Sequence, residues 1–101
     1  MPTYLVESYV PRARAEELRD AAGHARIAAS ALAAEGRVVH YVRSTFLPLD
    51  EVCLYVLEAE SAAVAGEALE RAGISFERVV EALPVSLHTA AGPISTREEQ
   101  K

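Results

Sequence analysis

The strongest constraint on the fold is the order in which two kinds of hydrophobic spacing follow one another along the chain. Residues 3–10 form a β-rich run that ends at Pro11. Residues 14–35 carry apolar residues at three- and four-residue steps, which is the spacing of a helix. Gly36 comes directly after that helix, where a left-handed residue often ends one. The inward residues of the helix are expected to be Leu18, Ala22, Ala25, Ala29 and Leu32.

Two further strands, a second helix and a fourth strand are predicted beyond Gly36. The turn at Pro48 is so short that the strands on either side of it must form an antiparallel hairpin. Ser61 is placed to cap the second helix, and Gly73 is placed to end it. These elements are expected at 38–47, 51–58, 62–72 and 77–85.

The resulting order, β-α-β-β-α-β, predicts an α+β fold, the ferredoxin-like split βαβ sandwich. A four-stranded antiparallel sheet would run in the order 4-1-3-2, with both helices on one face. The 101 residues suffice for one domain. We expect that domain to span 1–88, followed by a polar, mobile C-terminal tail at 89–101.

The predicted third strand is apolar on both faces, although two helices on one side of the sheet can cover only one. Along it Val52, Leu54 and Val56 alternate with Cys53, Tyr55 and Leu57. A second apolar face in an antiparallel sheet indicates a second cover, and a copy of the same chain is the simplest one. We therefore expect a homodimer, packed sheet to sheet or edge to edge. A charged residue at Tyr55 or Leu57 is expected to break it.

Composition and charge exclude several classes of protein. The formal net charge is −5, so the chain offers no basic surface for phosphates, and nucleic acid is not an expected partner. The single cysteine excludes a disulfide framework and a cysteine-rich zinc site. The chain has no apolar run approaching ~18 residues, and its N-terminus lacks the pattern of a signal peptide. We therefore expect a cytoplasmic protein with no membrane partner. The composition, rich in alanine and arginine, is typical of a GC-rich bacterial genome.

The main candidate for a ligand-binding site is a cluster on the face of the sheet away from the helices. Its predicted members are Glu7, Tyr9, Tyr41, Arg43 and Glu81. Because the first and fourth strands are neighbours, Glu7 and Glu81 would be two close carboxylates. Such a pair raises one pKa, binds a metal or pairs with a cation. We expect Arg43 to supply that cation, from the same chain or from a partner chain.

The histidines give a weaker signal for metal binding. His24, His40 and His88 lie on a predicted helix, a predicted strand and the tail, without the spacing that a metal site requires. Each is expected to be structural, with His40 at the start of an inward face. His40 and His88 are the candidate ligands if a metal is bound. Cys53 lies between apolar residues and is expected to be a small buried hydrophobe.

Short motifs spread over residues 2–85 also resemble those of a known group of proteins. They are Tyr4-Leu5-Val6-Glu7, Arg43-Ser44-Thr45-Phe46, Cys53-Leu54-Tyr55, Glu58-Ala59, Arg71-Ala72-Gly73 and Phe76-Glu77-Arg78-Val79-Val80. In combination they resemble a family of small bacterial domains of unknown function, one member of which is described as a nickel-binding protein. The resemblance implies a ferredoxin-like fold that is often dimeric, with nickel binding in part of the family.

The chain departs from the nickel-associated pattern at two positions. That pattern has a histidine in the second strand where Arg43 stands, and another in the second helix where Ala68 follows Glu67. The loss of both imidazoles removes nitrogen donors that nickel favours. The chain therefore resembles an Arg-Ser-Thr-Phe subgroup, and we expect nickel affinity to be weak or absent.

Two functions remain open at this point. The first is a small dimeric, non-catalytic binding protein for a metal ion such as nickel or for a small ligand. It is favoured because the sequence has no phosphate loop, nucleophile elbow or metalloprotease motif. The alternative is a small cofactor-free enzyme, a monooxygenase or isomerase of the dimeric α+β-barrel type. A closed apolar cavity that reaches His40 or Tyr41 would favour the enzyme, and an exposed cluster of ligands would favour the binding protein.

Overall fold

Four strands and two helices follow one another in the predicted order in the computed structural model, which describes residues 1–85. The strands are β1 (Thr3–Tyr9), β2 (Val39–Leu47), β3 (Val52–Ala59) and β4 (Arg78–Ala82). The helices are α1 (Leu18–Ala34) and α2 (Ala62–Arg71), and a 3-10 helix at Arg12–Glu17 leads into α1. The predicted end of the domain at residue 88 and the predicted tail at 89–101 lie outside the described residues.

The sheet has the order β2-β3-β1-β4, which is the predicted order read from the other edge. Each neighbouring pair of strands is antiparallel. The buried residues of α1 and α2 join those of alternate sheet positions in one core, so both helices lie on the same face. The α+β ferredoxin-like sandwich is therefore confirmed.

The first helix begins four residues later than its spacing predicts. Residues 12–17 wind as a 3-10 helix instead, which starts when Arg14 N–H donates to the Pro11 carbonyl at 2.8 Å. Arg12 N–H donates to the Glu51 carboxylate at 2.8 Å, so the turn between β2 and β3 holds this segment. This long-range hydrogen bond sets where α1 begins. The spacing of apolar residues along the helix carries no signal for it.

The ends of the helices follow the predicted local signals. Ser61 Oγ accepts a hydrogen bond from Val64 N–H at 3.2 Å and caps α2. Gly36 and Gly73 have φ of +95° and +76°, the left-handed conformation that ends a helix most readily at glycine. Within residues 1–85, no helix combines the length and the apolarity needed to cross a bilayer.

The two faces of the sheet are both apolar at the centre, but they are covered differently. The face toward the helices carries Tyr4, Val6, Cys53, Tyr55, Leu57 and Ala59, all buried in the core. The opposite face, here called the open face, carries Leu5, Val52, Leu54, Val56 and Val80 at its centre. The prediction that charge at Tyr55 or Leu57 would break a dimer is therefore wrong. Both side chains lie under the helices, where charge would disrupt the core of each single copy.

One glycine permits the close approach of α2 to the start of β4. A Cβ atom at Gly66 would lie 3.3 Å from Phe76 Cζ and 3.6 Å from Val79 Cγ2. Phe76 and Val79 are themselves packed against the core. Even a single methyl group at position 66 would therefore require Phe76 to shift by a few tenths of an ångström, and a larger side chain would require more.

We predict opposite effects of filling two helical glycines. Gly66→Leu should lower the free energy of unfolding by about 1–3 kcal/mol, because the added atoms must displace Phe76. Gly23→Ala should raise it by about 0.5–1 kcal/mol, because nothing lies within 4 Å of a Cβ there and alanine is the better helix former. Chemical denaturation of both variants measures the difference. A Gly66→Leu protein as stable as the unmodified chain would contradict the packing described.

Candidate functional site

The five predicted cluster residues are divided between the two faces of the sheet. Glu7, Tyr9 and Arg43 lie on the open face, as predicted. Glu81 lies opposite Tyr4 in the register of β1 and β4, so it shares the side of the helices. Tyr41 lies opposite Leu57, a core residue, and shares that side as well. The predicted cluster is therefore wrong at Tyr41 and Glu81, and the two carboxylates do not meet.

A β-bulge explains why Tyr41 and Arg43 face opposite ways. The register passes from Tyr41 opposite Leu57 directly to Arg43 opposite Val56, which leaves Val42 as an extra residue. In a regular strand, residues two apart lie on the same face, so the sequence predicts Tyr41 and Arg43 on one face. Tyr41 instead shares a hydrogen bond of 2.6 Å with Ser44 on the side of the helices. No glycine or proline marks the bulge in the sequence, so it left no local signal.

The residues of β4 lie on the opposite faces of the sheet from those that the sequence predicts. Val79 pairs with Val6 and packs against the core, so it faces the helices instead of the open face. Glu81, two residues further on, shares that side at an exposed position. Val80 takes the place on the open face, opposite Leu5.

The cation beside Glu7 is Arg78, not Arg43. These residues lie opposite each other on β1 and β4, and Arg78 Nε donates to Glu7 Oε1 at 2.8 Å. That hydrogen bond, followed by the charge of Glu7, raises the pKa of the Arg78 guanidinium. Arg43 lies two strands from β1, a separation of roughly 10 Å across the sheet. The predicted role of Arg43 as partner of Glu7 and Glu81 is therefore wrong.

We predict that position 7 is coupled to position 78 and not to position 43. A double-mutant cycle of Glu7→Gln with Arg78→Ala should show a small favourable coupling that weakens as salt is added, because the pair is solvent-exposed. The matched cycle of Glu7→Gln with Arg43→Ala should show none. Coupling between 7 and 43 in urea denaturation would contradict the observed register.

The predicted histidines do not converge. His40 is exposed on the open face opposite Glu58, and its neighbour Val39 is the buried residue, so the prediction of an inward His40 is wrong. His24 is exposed on α1, and His88 lies outside the described residues. Within residues 1–85, no three His, Cys, Asp or Glu side chains are grouped so that they could hold a metal ion.

The two positions at which the resembled family has histidines do not restore a nickel site. Arg43 lies exposed on the open face, whereas Ala68 is a fully buried residue of α2, on the other side of the sheet. The described part of the chain thus does not fit nickel at these positions.

A cavity that the sequence did not predict lies between the C-terminal end of β1, the start of α1 and the segment joining α2 to β4. Its volume is about 410 Å³. We call it the β1–α1 cavity. Its innermost residues are Ser8 and Tyr55, both buried. Its apolar wall consists of Val10, Pro11, Leu18, Ala21 and Ile74.

The two buried lining residues carry hydroxyl groups in different environments. Ser8 Oγ donates a hydrogen bond to the Ser75 carbonyl at 2.6 Å. The Tyr55 hydroxyl lies close enough to the Cys53 thiol for each group to shift the pKa of the other, and a thiol is a weak hydrogen-bond partner. Burial raises the pKa of Tyr55, and burial also raises the pKa of Cys53. Both groups are therefore neutral at physiological pH.

The outer end of the cavity is charged. Arg14 Nη2 lies 3.0 Å from Glu17 Oε1, and this hydrogen bond lowers the pKa of Glu17 and raises that of Arg14. Asp20 and His24 also line the cavity, on the exposed side of α1. Because Arg14 is already paired with Glu17, the Asp20 carboxylate is a further negative charge at this end.

Neither described cavity reaches His40 or Tyr41, the two residues expected to mark an enzyme site. A second, shallower cavity of about 300 Å³ lies on the outer surface of the helices and is lined by Ile27, Ala31 and Arg71 among others.

One sequence signal could have revealed the β1–α1 cavity. Ser8 falls in the inward alternation with Tyr4 and Val6, where an apolar residue is the usual choice.

We predict that the hydroxyl groups of Tyr41 and Tyr55, both on the side of the sheet that faces the helices, contribute differently to stability. Tyr41→Phe removes the bond to Ser44 and should lower the free energy of unfolding by about 0.5–1.5 kcal/mol. Tyr55→Phe removes a buried hydroxyl whose neighbour is only a thiol, so the change should be smaller than about 0.5 kcal/mol. Urea denaturation compares the two. A larger loss for Tyr55→Phe would show that its hydroxyl is bonded within the chain.

Comparison with known proteins establishes the fold and no more. No protein-family model matches the chain, and no curated protein is significantly similar to it. The crystal structure of SCO4226 from Streptomyces coelicolor A3(2) is similar, with a TM-score of 0.63. The match covers 83% of this chain and 98% of that one, at 20% sequence identity. The shared architecture is the ferredoxin-like sandwich described above.

Proposed function

We propose that the protein is a small, non-catalytic binding protein that acts as a homodimer and takes a small organic ligand. The observation that carries the proposal is the open face of the sheet. Leu5, Leu54 and Val56 lie side by side there, with Val52 and Val80 around them. Val56 is buried already in the single chain, whereas the other four are partly exposed. An apolar patch that helices leave uncovered on a sheet is typical of an interaction site. A second copy of the chain would bury it.

The charges around this apolar centre support self-association. Arg43 and Arg78 lie on the open face together with Glu7 and Glu58, so its formal charge is balanced. The whole chain, by contrast, has a formal net charge of −5. Two copies would repel each other through most surfaces, but not through this one. In a two-fold dimer, opposite charges at the rim can pair across the interface.

The edge of the sheet supports face-to-face packing over edge-to-edge pairing. β2 is an outer strand of the sheet, and the bulge at Val42 interrupts its regular hydrogen bonding. A bulge twists an edge strand and hinders the addition of a further strand. The open face is therefore favoured over the β2 edge as the contact between copies.

The chemistry of the buried groups supports binding over catalysis. A general acid or base works best when its pKa lies near the working pH. Burial raises the pKa of Cys53 and Tyr55 away from neutrality. A buried, neutral phenol among the residues that line the β1–α1 cavity suits recognition better than proton transfer.

A small cofactor-free enzyme is the second candidate function, and one observation favours it. The β1–α1 cavity lies between sheet and helix and brings Tyr55 and His24 to one space. Native mass spectrometry of the untagged protein, combined with metal analysis, would identify any bound molecule. A ligand recovered chemically unchanged after incubation supports binding. Conversion of that ligand, lost in His24→Gln, would instead establish the enzyme.

We predict that one charge on the open face separates the dimer without unfolding it. Leu54→Asp should give a folded monomer, because the carboxylate would be buried unpaired between two copies yet reaches water in one. Ile27→Asp is the matched control, since Ile27 is 67% exposed on α1, away from the open face. It should remain a dimer. Sedimentation at micromolar concentration reports the mass, and circular dichroism reports the fold.

Two results would contradict the proposed dimer. One is an unmodified protein that sediments as a monomer at micromolar concentration. The other is a Leu54→Asp protein that remains a dimer, because the interface would then lie elsewhere on the chain.

A further inference from the structure

We propose that, in the dimer, the segment that follows β4 in one copy packs on the start of β2 in the other. This segment comprises residues 83–85 and is here called the β4 extension. The inference rests on the dimer proposed above. It adds the residues that meet at the rim of the contact and the direction of the two-fold axis that relates the copies.

The β4 extension carries two large apolar side chains that the described part of the chain leaves largely uncovered. Leu83 is 73% exposed and Val85 is 83% exposed. Pro84 between them restricts Leu83 to an extended backbone, in which residues two apart lie on one side. Two apolar side chains that lie side by side beyond the end of a sheet are suited to contact with a neighbouring molecule.

The opposite edge of the sheet carries exposed apolar side chains near the same end. Val38 precedes β2 and is 49% exposed, and Val42, the extra residue of the bulge, is 38% exposed. Ala82, the last residue of β4, shares a row of the sheet with His40, the second residue of β2. The β4 extension and Val38 therefore lie at one end of the sheet, beside its two outer strands.

A two-fold axis that runs along the strands, between β1 and β3, brings these two edges together. It exchanges β1 with β3 and β2 with β4, and it keeps each row of the sheet at its own end. Leu5 and Val56 share a row in the register of β1 and β3, so each would lie over the other residue in the partner copy. The β4 extension of each copy would then lie over Val38 of the other.

An axis across the strands would give a poorer match. It would place each strand over its own counterpart with the ends reversed, so the β4 extension would lie beside Glu77 and Arg78 of the other copy. Both of these side chains are exposed and charged, and apolar side chains there would displace water from the charges. The axis along the strands instead brings apolar surface to apolar surface at both edges of the sheet.

The extent of the sheet also favours a contact that reaches beyond it. A sheet of four strands about 4.8 Å apart, with the seven-residue length of β1, covers roughly 450 Å² in projection. A stable dimer usually buries about 800 Å² on each copy. The two β4 extensions, one from each copy, enlarge the contact toward that area.

The first test removes the apolar side chains of the β4 extension. Leu83→Ser combined with Val85→Ser should raise the dissociation constant of the dimer by about tenfold or more, because each dimer contains two such contacts. The fold should persist, since both residues are exposed in the single copy. Ile27→Ser is the matched control, because Ile27 is also large and exposed but lies on α1, and it should leave the constant unchanged. Sedimentation equilibrium measures the constant, and circular dichroism reports the fold.

The second test locates the contact by cross-linking. A protein with Val38→Cys and Leu83→Cys should form a covalent dimer on mild oxidation, because the two positions meet between copies. Within one copy they lie beside outer strands roughly 14 Å apart, which is too far for a disulfide. Cys53 is buried and should not compete. Val38→Cys with Ile27→Cys is the matched control and should form no covalent dimer.

Three results would overturn the inference and leave the dimer in place. An unchanged dissociation constant after both serine substitutions would mean that the β4 extension lies outside the contact. A covalent link within one chain would mean that it packs on its own copy. A protein with Leu83→Cys alone that links to its counterpart would mean that the two β4 edges meet. A protein that sediments as a monomer at micromolar concentration would instead contradict the dimer and this inference together.

Discussion

β3 is apolar on both of its faces, and the rest of the fold is arranged by what covers them. On one face Cys53, Tyr55 and Leu57 lie under the helices and form the centre of the core. On the other, Val56 is only 6% exposed even in a single copy, whereas Leu5, Leu54 and Val80 around it are partly exposed. The two helices that cover the first face carry alanine and Gly66 at buried positions, and these small residues let the helices pack close to the sheet. We propose that a second copy of the chain covers the second face.

The order of elements could be predicted from the sequence because its signals are local. Pro11, Ser61, Gly36 and Gly73 each act on their own backbone, so the ends of strands and helices followed from them. The faces of the outer strands could not be predicted, because one extra residue at Val42 reverses the side on which Tyr41 lies. The β1–α1 cavity left little local signal, since its lining residues, among them Ser8, Tyr55 and Ser75, come from distant parts of the chain.

The two faces of β3 differ in what they contact. Tyr55 lies on the side of the helices and is among the residues that line the cavity, while its neighbours Leu54 and Val56 lie on the open face. Alternation along one strand therefore separates the proposed contact between copies from the β1–α1 cavity. The charges follow the same division. The open face is balanced, whereas the outer end of the cavity has the Asp20 carboxylate as a further negative charge. Each surface would thus select a different kind of partner.

The central claim is that a second copy of the chain covers the open face. Isotope-filtered NMR on a dimer assembled from labelled and unlabelled protein tests it most directly. The account predicts intermolecular nuclear Overhauser effects between the methyl groups of Leu5, Leu54 and Val56 in one copy and the same residues in its partner. Intermolecular effects that arise only from the backbone of β2, or from the outer surface of α1, would contradict the claim.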